Sequence, residues 1–192
     1  MQASPYYGTY HHTTPEQSES TRSELKSKFE NAFEKITEKV TVNNIMDAGC
    51  GLGFLCAVSA KYFPTASVLG IDLFGSESLP EGSIALARQN MEMEHIAERV
   101  RFLESDLKKL DLKDVEFELI ISNLVFHNLG KSRFQAYKNV IKFLKSNGAL
   151  ILGDFFMDAR DKKFLSDVLN FEGEITEIHH MPMNYSIVIF RK

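Results

Sequence analysis

Short apolar runs that alternate with amphipathic stretches constrain this chain more than any other feature. "NIMDA" (44–48), "SVLGIDL" (67–73), "RVRFLE" (99–104), "FELIISNL" (117–124) and "ALILGDFF" (149–156) read as strands. Helical spacing marks "FLCAVSAKYF" (54–63), "SIALARQNMEMEHIA" (83–97), "KSRFQAYKNVIKFLK" (131–145) and "DKKFLSDVLNF" (161–171). Strands that alternate with helices build parallel βαβ units, so an open α/β sheet covered on both faces is expected. The strands agree, because "LIIS" and "LILG" are apolar at consecutive positions rather than alternate ones. Asn147-Gly148 reads as the stop of the helix that begins at Lys131. "EITEIHHM" (174–181) and "YSIVIFRK" (185–192), joined across Pro182 to Asn184, read as a closing antiparallel hairpin.

Upstream of the alternation, Leu25, Phe29, Phe33, Ile36 and Val40 share one stripe, which predicts a leading helix from Ser23. The residues before it are rich in Tyr, His, Thr and Ser and carry almost nothing aliphatic. The expected organisation is therefore an N-terminal arm over 1–22 and one domain over 23–192 that includes the leading helix. A chain of 192 residues suits a single core of ordinary size.

Ligands of such sheets bind beyond the carboxyl ends of the strands, near the point where strand order reverses. "IMDAGCGLG" (45–53) ends the first strand there, with Gly49, Gly51 and Gly53 at alternate positions. A dinucleotide turn has G-x-G-x-x-G, but three residues after Gly51 comes Phe54. A phosphate loop needs Gly-Lys-Ser/Thr, which the chain lacks. Asp47, two positions ahead of Gly49, would repel phosphate in a water-poor site and suits a ligand that carries an ammonium group.

On these residues "DAGCGLG" resembles the first motif of class I S-adenosylmethionine-dependent methyltransferases, an acid followed by G-x-G-x-G. The resemblance runs over roughly residues 40–192 by element order. It implies a three-layer Rossmann-like fold with a mostly parallel seven-stranded sheet and a C-terminal antiparallel hairpin strand. It also implies S-adenosyl-L-methionine as cofactor and S-adenosyl-L-homocysteine as product. Carried over position by position, Asp47, Ala48, Gly49, Cys50, Gly51 and Gly53 would shape the methionyl pocket. Asp72 in "GIDL" would take the ribose hydroxyls, with Leu73 along the adenine. Asp106 and Leu107 in "LESDLKKL" would meet the adenine, and Asn123 in "IISNLVFHNL" would lie beneath the methionyl group with its backbone near the amine. "LFGSESLPEG" (73–82) is longer and richer in Gly, Ser and Pro than the family's usual connection, which leaves a lid or a substrate contact open for it.

Methyl transfer from a sulfonium is an in-line displacement that needs an aligned acceptor and exclusion of water, and no metal ion. Enzymes that methylate exocyclic base amines or glutamine amides carry Asn/Asp-Pro-Pro-aromatic after the fourth strand. This chain has Asn123-Leu124-Val125-Phe126 and departs from that pattern. "NLVFHNL" resembles instead the hydrophobic-His-x-Leu stretch of members that act on small metabolites, which makes His127 a candidate base or acceptor contact. Tyr6, Tyr7 and Tyr10 of the arm are candidates for a lid that orders over the acceptor. Neighbours on a strand point to opposite faces, so His179-His180 in the predicted hairpin would not share an ion. His11-His12 has no nearby carboxylate or thiol partner in sequence, and no metal site is expected.

The formal net charge of −4 argues against a chain that wraps nucleic acid. Cys50 and Cys56 are its only cysteines, so no disulfide framework exists and a reducing interior is expected. The polar N-terminus has no signal-peptide core and no apolar run is long enough to cross a bilayer, which points to the cytoplasm. The expected function is methyl transfer to a small or medium-sized acceptor. An RNA or protein methyltransferase and a non-catalytic cofactor-binding subunit are the rivals.

Overall fold

A parallel strand buried on both faces must send alternate side chains to two different cores, and the first strand does this. In β1 (Asn44–Ala48), Ile45 packs with the helices on one side of the sheet and Met46 with those on the other. The computed structural model describes residues 4–74, 79, 81–156 and 159–192. Its seven strands are β1, β2 (Ser67–Asp72), β3 (Val100–Glu104), β4 (Phe117–Asn123), β5 (Leu144–Phe155), β6 (Asn170–Ile175) and β7 (Tyr185–Arg191). They lie in the order β3-β2-β1-β4-β5-β7-β6. The first five are parallel, and β7 pairs antiparallel with both β5 and β6. The order reverses between β1 and β4, so the carboxyl ends of these two strands open the crevice in which ligands of such sheets bind.

Helices α1 (Pro15–Thr37), α2 (Phe54–Tyr62) and α3 (Ile84–Met93) are on one face. Leu25, Phe29, Phe33 and Ile36 of α1 are buried there against strand residues such as Leu119 and Ile189. The other face is covered by α4 (Arg133–Lys142) and α5 (Ala159–Ser166), where Tyr137, Val140 and Leu165 meet Met46, Ile120 and Leu152. The expected three layers and mixed sheet are therefore present.

Several boundaries differ from the sequence reading. The leading helix begins at Pro15, not Ser23, because Thr14 and Gln17 form a reciprocal capping box with Pro15 in the first turn. Helix α4 stops at Lys142, five residues before Asn147-Gly148, which lie in β5 where its register against β4 shifts between Phe117 and Leu119. Asn147 there takes a left-handed φ of 64°, the backbone that Asn tolerates better than most residues. The last helix ends at Ser166 and the hairpin strand is 170–175, not 174–181. As the sheet edge, β6 pairs with β7 alone, and its "NFEGEI" has neither an apolar run nor clean alternation to announce a strand.

Residues 75–78 and 80, within the 73–82 connection for which a lid or substrate contact was expected, lie outside the described residues.

Candidate functional site

The turn after β1 is fastened to the end of β2. Gly49 and Cys50 donate their backbone N–H groups to Ile71 O at 2.7 and 3.1 Å. Gly51 N donates to Asp72 Oδ2 at 2.8 Å, and Phe74 N donates to Asp72 Oδ1 at 3.0 Å. Gly49, Gly51 and Gly53 all have positive φ, of 81°, 51° and 89°, which only glycine adopts without strain. At Gly49 the need is also spatial, since a Cβ would stand 2.3 Å from a Val125 methyl. Gly53 leads directly into α2. The G-x-G-x-G spacing thus produces a tight left-handed turn that brings an acid, Asp72, onto its own backbone.

Asp47 stands behind this turn, 1% exposed, and accepts a hydrogen bond from Cys56 Sγ at 3.2 Å. Burial pushes its carboxyl up to about 7; the thiol hydrogen bond opposes that rise and the negative charge of Asp72 adds to it. Ala48 and Cys50 are buried as well. Leu73, by contrast, is 46% exposed just beyond β2 and offers an open apolar surface beside Asp72.

The end of β3 adjoins that of β2, with Ser105 N donating to Asp72 O at 2.9 Å. Asp106 caps the short 3-10 turn over Leu107–Lys109 and faces Lys108 Nζ at 3.4 Å. The Leu107 side chain is buried in the core on the α4 side.

Across the crevice, Asn123 ends β4 and its Oδ1 accepts from the Tyr185 hydroxyl at 2.6 Å. This pair rests on Gly153, where a Cβ would stand 2.2 Å from Tyr185 Oη. Leu124 follows with a left-handed φ of 59°, an uncommon and strained backbone for a leucine. His127 sits two residues into the 3-10 stretch over Phe126–Ser132 and places Nδ1 2.5 Å from Asp154 Oδ1, at the end of β5. Its ring stands edge-on to Phe155 at 5.0 Å, and Phe155 in turn meets Tyr185 at 5.8 Å.

The arm is laid down rather than loose. Asn90 of α3 clamps it, accepting from Tyr6 N at 2.9 Å and donating to Tyr6 O at 2.7 Å and Leu52 O at 2.9 Å. The Tyr6 and Tyr7 hydroxyls donate to Glu81 and Glu94, and Tyr7 packs edge-on to Phe54. Tyr10 takes a different direction. It lies under the Arg22 guanidinium at 5.2 Å and close enough to Tyr185 to raise that phenol's pKa. Tyr10 thus approaches Tyr185, the phenol whose hydroxyl holds Asn123.

His179 and His180 are in the connection between β6 and β7, not on a strand, so the opposite-faces argument does not apply to them. Each donates its backbone N–H to the Glu24 carboxylate of α1, and each places Nδ1 within 3.0 Å of it. Burial alone would raise the Glu24 carboxyl, but these four contacts outweigh it and carry it down to about 2. Among the described residues no group of three or more His, Cys, Asp or Glu is placed to hold a metal ion. No helix among them is long and apolar enough to cross a membrane.

Sequence reasoning missed Asp154, Tyr185, Val125 and Asn90. For Asp154 a signal existed, an acid closing the apolar run "LILGD" at the carboxyl edge. Tyr185 and Asn90 act through tertiary contacts that carry no local pattern.

A mostly parallel sheet with a glycine turn and two acids at its switch point defines the class I methyltransferase architecture. Residues 40–184 match the family described as a methyltransferase domain, and the chain belongs to that S-adenosylmethionine-dependent family. It is similar to a malonyl-[acyl-carrier protein] O-methyltransferase of Priestia megaterium, 31% identical over 58% of this chain and 36% of the relative. A release factor glutamine methyltransferase of Fusobacterium nucleatum is 35% identical over 58% of this chain and 29% of the relative. The matches thus span about a third of these curated relatives' length. Among solved structures, magnesium protoporphyrin IX methyltransferase from Synechocystis PCC 6803 with bound S-adenosylmethionine aligns with a TM-score of 0.71 at 19% identity. That alignment covers 97% of this chain and 87% of the other.

Proposed function

We propose that this protein transfers the methyl group of S-adenosylmethionine to a small or medium-sized acceptor. The observation that carries the reading is the bond from Gly51 N to Asp72 Oδ2, which folds the glycine turn against an acid beside the exposed Leu73. Such a cradle fits an uncharged ribose and a flat base. Asp72 opposes a pyrophosphate there.

When bound, the cofactor supplies a methyl group already activated by positive sulfur. The chain's own part is to bind and align. Asp47 behind the turn, with Ala48, Gly49, Cys50, Gly51 and Gly53, frames the methionyl end. Asp72 and Leu73 serve the ribose and adenine, and Asp106 with Leu107 closes the adenine end through the turn that Asp106 caps. Asn123, held by Tyr185, presents its backbone towards the amine. His127 faces the acceptor. Residues 4–13 act as a lid, with Tyr10 nearest the acceptor side, which excludes water from the transfer.

The small-acceptor reading is supported by the acidic balance of the chain and by Leu124-Val125 where amide and base-amine methylating enzymes carry paired prolines. Titration calorimetry tests the cofactor. S-adenosylmethionine or S-adenosylhomocysteine should bind, and a pyridine dinucleotide should not; the reverse result refutes the reading. Deletion of residues 1–12, which leaves the capping box of α1 intact, should keep cofactor affinity within a few-fold and remove turnover. Unchanged turnover refutes the lid. Methyl uptake by RNA or protein alone would establish the macromolecular rival, and tight binding without any transfer the non-catalytic one.

A further inference from the structure

Asp154 is buried to 3% exposure, and its carboxyl accepts from three backbone N–H groups and meets one imidazole nitrogen. Oδ2 accepts from Phe126 N at 2.8 Å and His127 N at 3.3 Å. Oδ1 accepts from Phe155 N at 2.7 Å and lies 2.5 Å from His127 Nδ1. A carboxyl ringed by backbone donors acts as an acceptor, so Nδ1 of His127 carries the proton in that contact. An imidazole held this way in its neutral form has one tautomer, with Nε2 left bare as a lone pair.

The ring is held at two points by one side chain, through its backbone N–H and through Nδ1, and Phe155 closes one edge. Holding the loop between β4 and α4 requires only Oδ2, which already takes two backbone N–H groups. The contact from Oδ1 to Nδ1 does something else: it orients an imidazole whose side chain is still 26% exposed. Among the described residues the groups shown to feel Asp154 are phenols, with the Arg133–Asp161 ion pair beyond Tyr137. Tyr137 from α4 and Tyr185 from β7 both feel the Asp154 carboxylate, and Tyr10 of the arm lies beyond Tyr185. Burial pushes all three phenols up, so they stay neutral.

We propose that Asp154 is a positioning residue that holds His127 with Nε2 bare, and that the pair removes a proton from a hydroxyl acceptor of the phenol or enol class. The assignment rests on the methyl-transfer reading above and deepens it. A carboxylate is already ionised at neutral pH and a thiol, with a pKa of about 8.5, gives up its proton more readily than a phenol with a pKa of about 10, which most needs a base. In the transfer the acceptor O–H bond breaks and its proton goes to Nε2. The oxygen electron pair forms the O–CH3 bond, and the electrons of the broken C–S bond stay on sulfur. The imidazolium that results lies against the Asp154 carboxylate. The aromatic edges of Phe155 and Tyr185 beside the base suit a planar acceptor.

The test uses the full chain with ¹⁵N-labelled histidine and has two arms. In the spectrum of the unmodified protein carrying S-adenosylhomocysteine, at a pH where His127 is neutral, His127 should appear as the Nδ1–H tautomer. In Asp154→Asn, whose amide both donates and accepts, that single tautomer should give way to a mixture. An Nε2–H tautomer in the unmodified protein overturns the positioning role, and so does an unchanged tautomer in a folded Asp154→Asn. In the second arm, 2-naphthol and other phenols and enols are offered beside matched carboxylic acids and thiols, and release of S-adenosylhomocysteine is measured. Phenols or enols should be turned over, with a loss of at least about 100-fold in His127→Gln. Turnover confined to acids or thiols, or turnover of none of these by protein that binds the cofactor, overturns the hydroxyl assignment. Failure to bind the cofactor at all refutes the methyl-transfer reading instead, so the two failures are distinguishable.

Discussion

The buried acid behind the glycine turn makes cofactor affinity depend on pH in a calculable way. Burial holds the Asp47 carboxyl at about 7 in the free protein, so it keeps its proton below that pH. A bound ammonium group favours the ionised form, so the proton must leave when the cofactor enters. Affinity therefore rises with pH up to about 7 and then levels. For a bound-state pKa well below 5.5, the ionised fraction of the free protein grows about 16-fold between pH 5.5 and pH 7.0, or about 1.6 kcal/mol of binding. An α-amino group with a pKa of about 7.7 to 8.0 remains largely charged over that interval, so the slope belongs to the protein. Calorimetry with S-adenosylhomocysteine at the two pH values, in buffers of different ionisation enthalpy, should show this rise with release of close to one proton at the lower pH. Asp47→Asn should bind more weakly at pH 7.0 and lose the slope. Equal affinity at both pH values, or the same slope in Asp47→Asn, refutes the reasoning. The same raised pKa makes ionisation a cost to the free fold, present above pH 7 and lost as pH falls towards 4, so Asp47→Asn should gain stability over the unmodified protein as pH rises from 4 to 7.

The arm and the turn offer further tests. Asn90→Ala removes three hydrogen bonds, at about 1 kcal/mol each, and should lower stability by about 3 kcal/mol while exposing residues 4–13 to limited proteolysis. Gly49→Ala sets a Cβ against Val125 at a left-handed φ and should cost about 3 kcal/mol in urea unfolding, with cofactor binding lost before the fold. Glu24, held down to about 2, contributes stability that is complete above its ordinary pKa and lost as pH falls through 2. Amide protons of His179 and His180 should therefore stay protected from exchange at pH 4 and lose protection near pH 2, and Glu24→Gln should lose it throughout.

What the sequence made legible follows from how local each cause is. Period, turn glycines and an acid at a strand end are written in neighbouring residues, so the parallel strands, the glycine turn and Asp72 were readable. The start of α1 was also written locally, as Thr14-Pro15-Glu16-Gln17, but the apolar stripe from Leu25 onward drew the boundary away from it. The edge strand β6 was not legible, since a strand paired on one side carries no apolar run. His127 could be singled out by motif, but the group that gives it a direction sits 27 residues later on another strand. His179 and His180 showed the opposite failure: the pair was noticed, while the partner that fixes its geometry, Glu24, lies 155 residues away.

The contact between Val125 and Gly49 leaves no spacer between the half of the sheet that carries the glycine turn and the half that carries the imidazole. Attempts to redirect this scaffold to new acceptors by remodelling 124–128 would therefore disturb donor recognition at the same stroke. Variation is better placed at Phe155 and Tyr10, which touch the glycine turn at no described point.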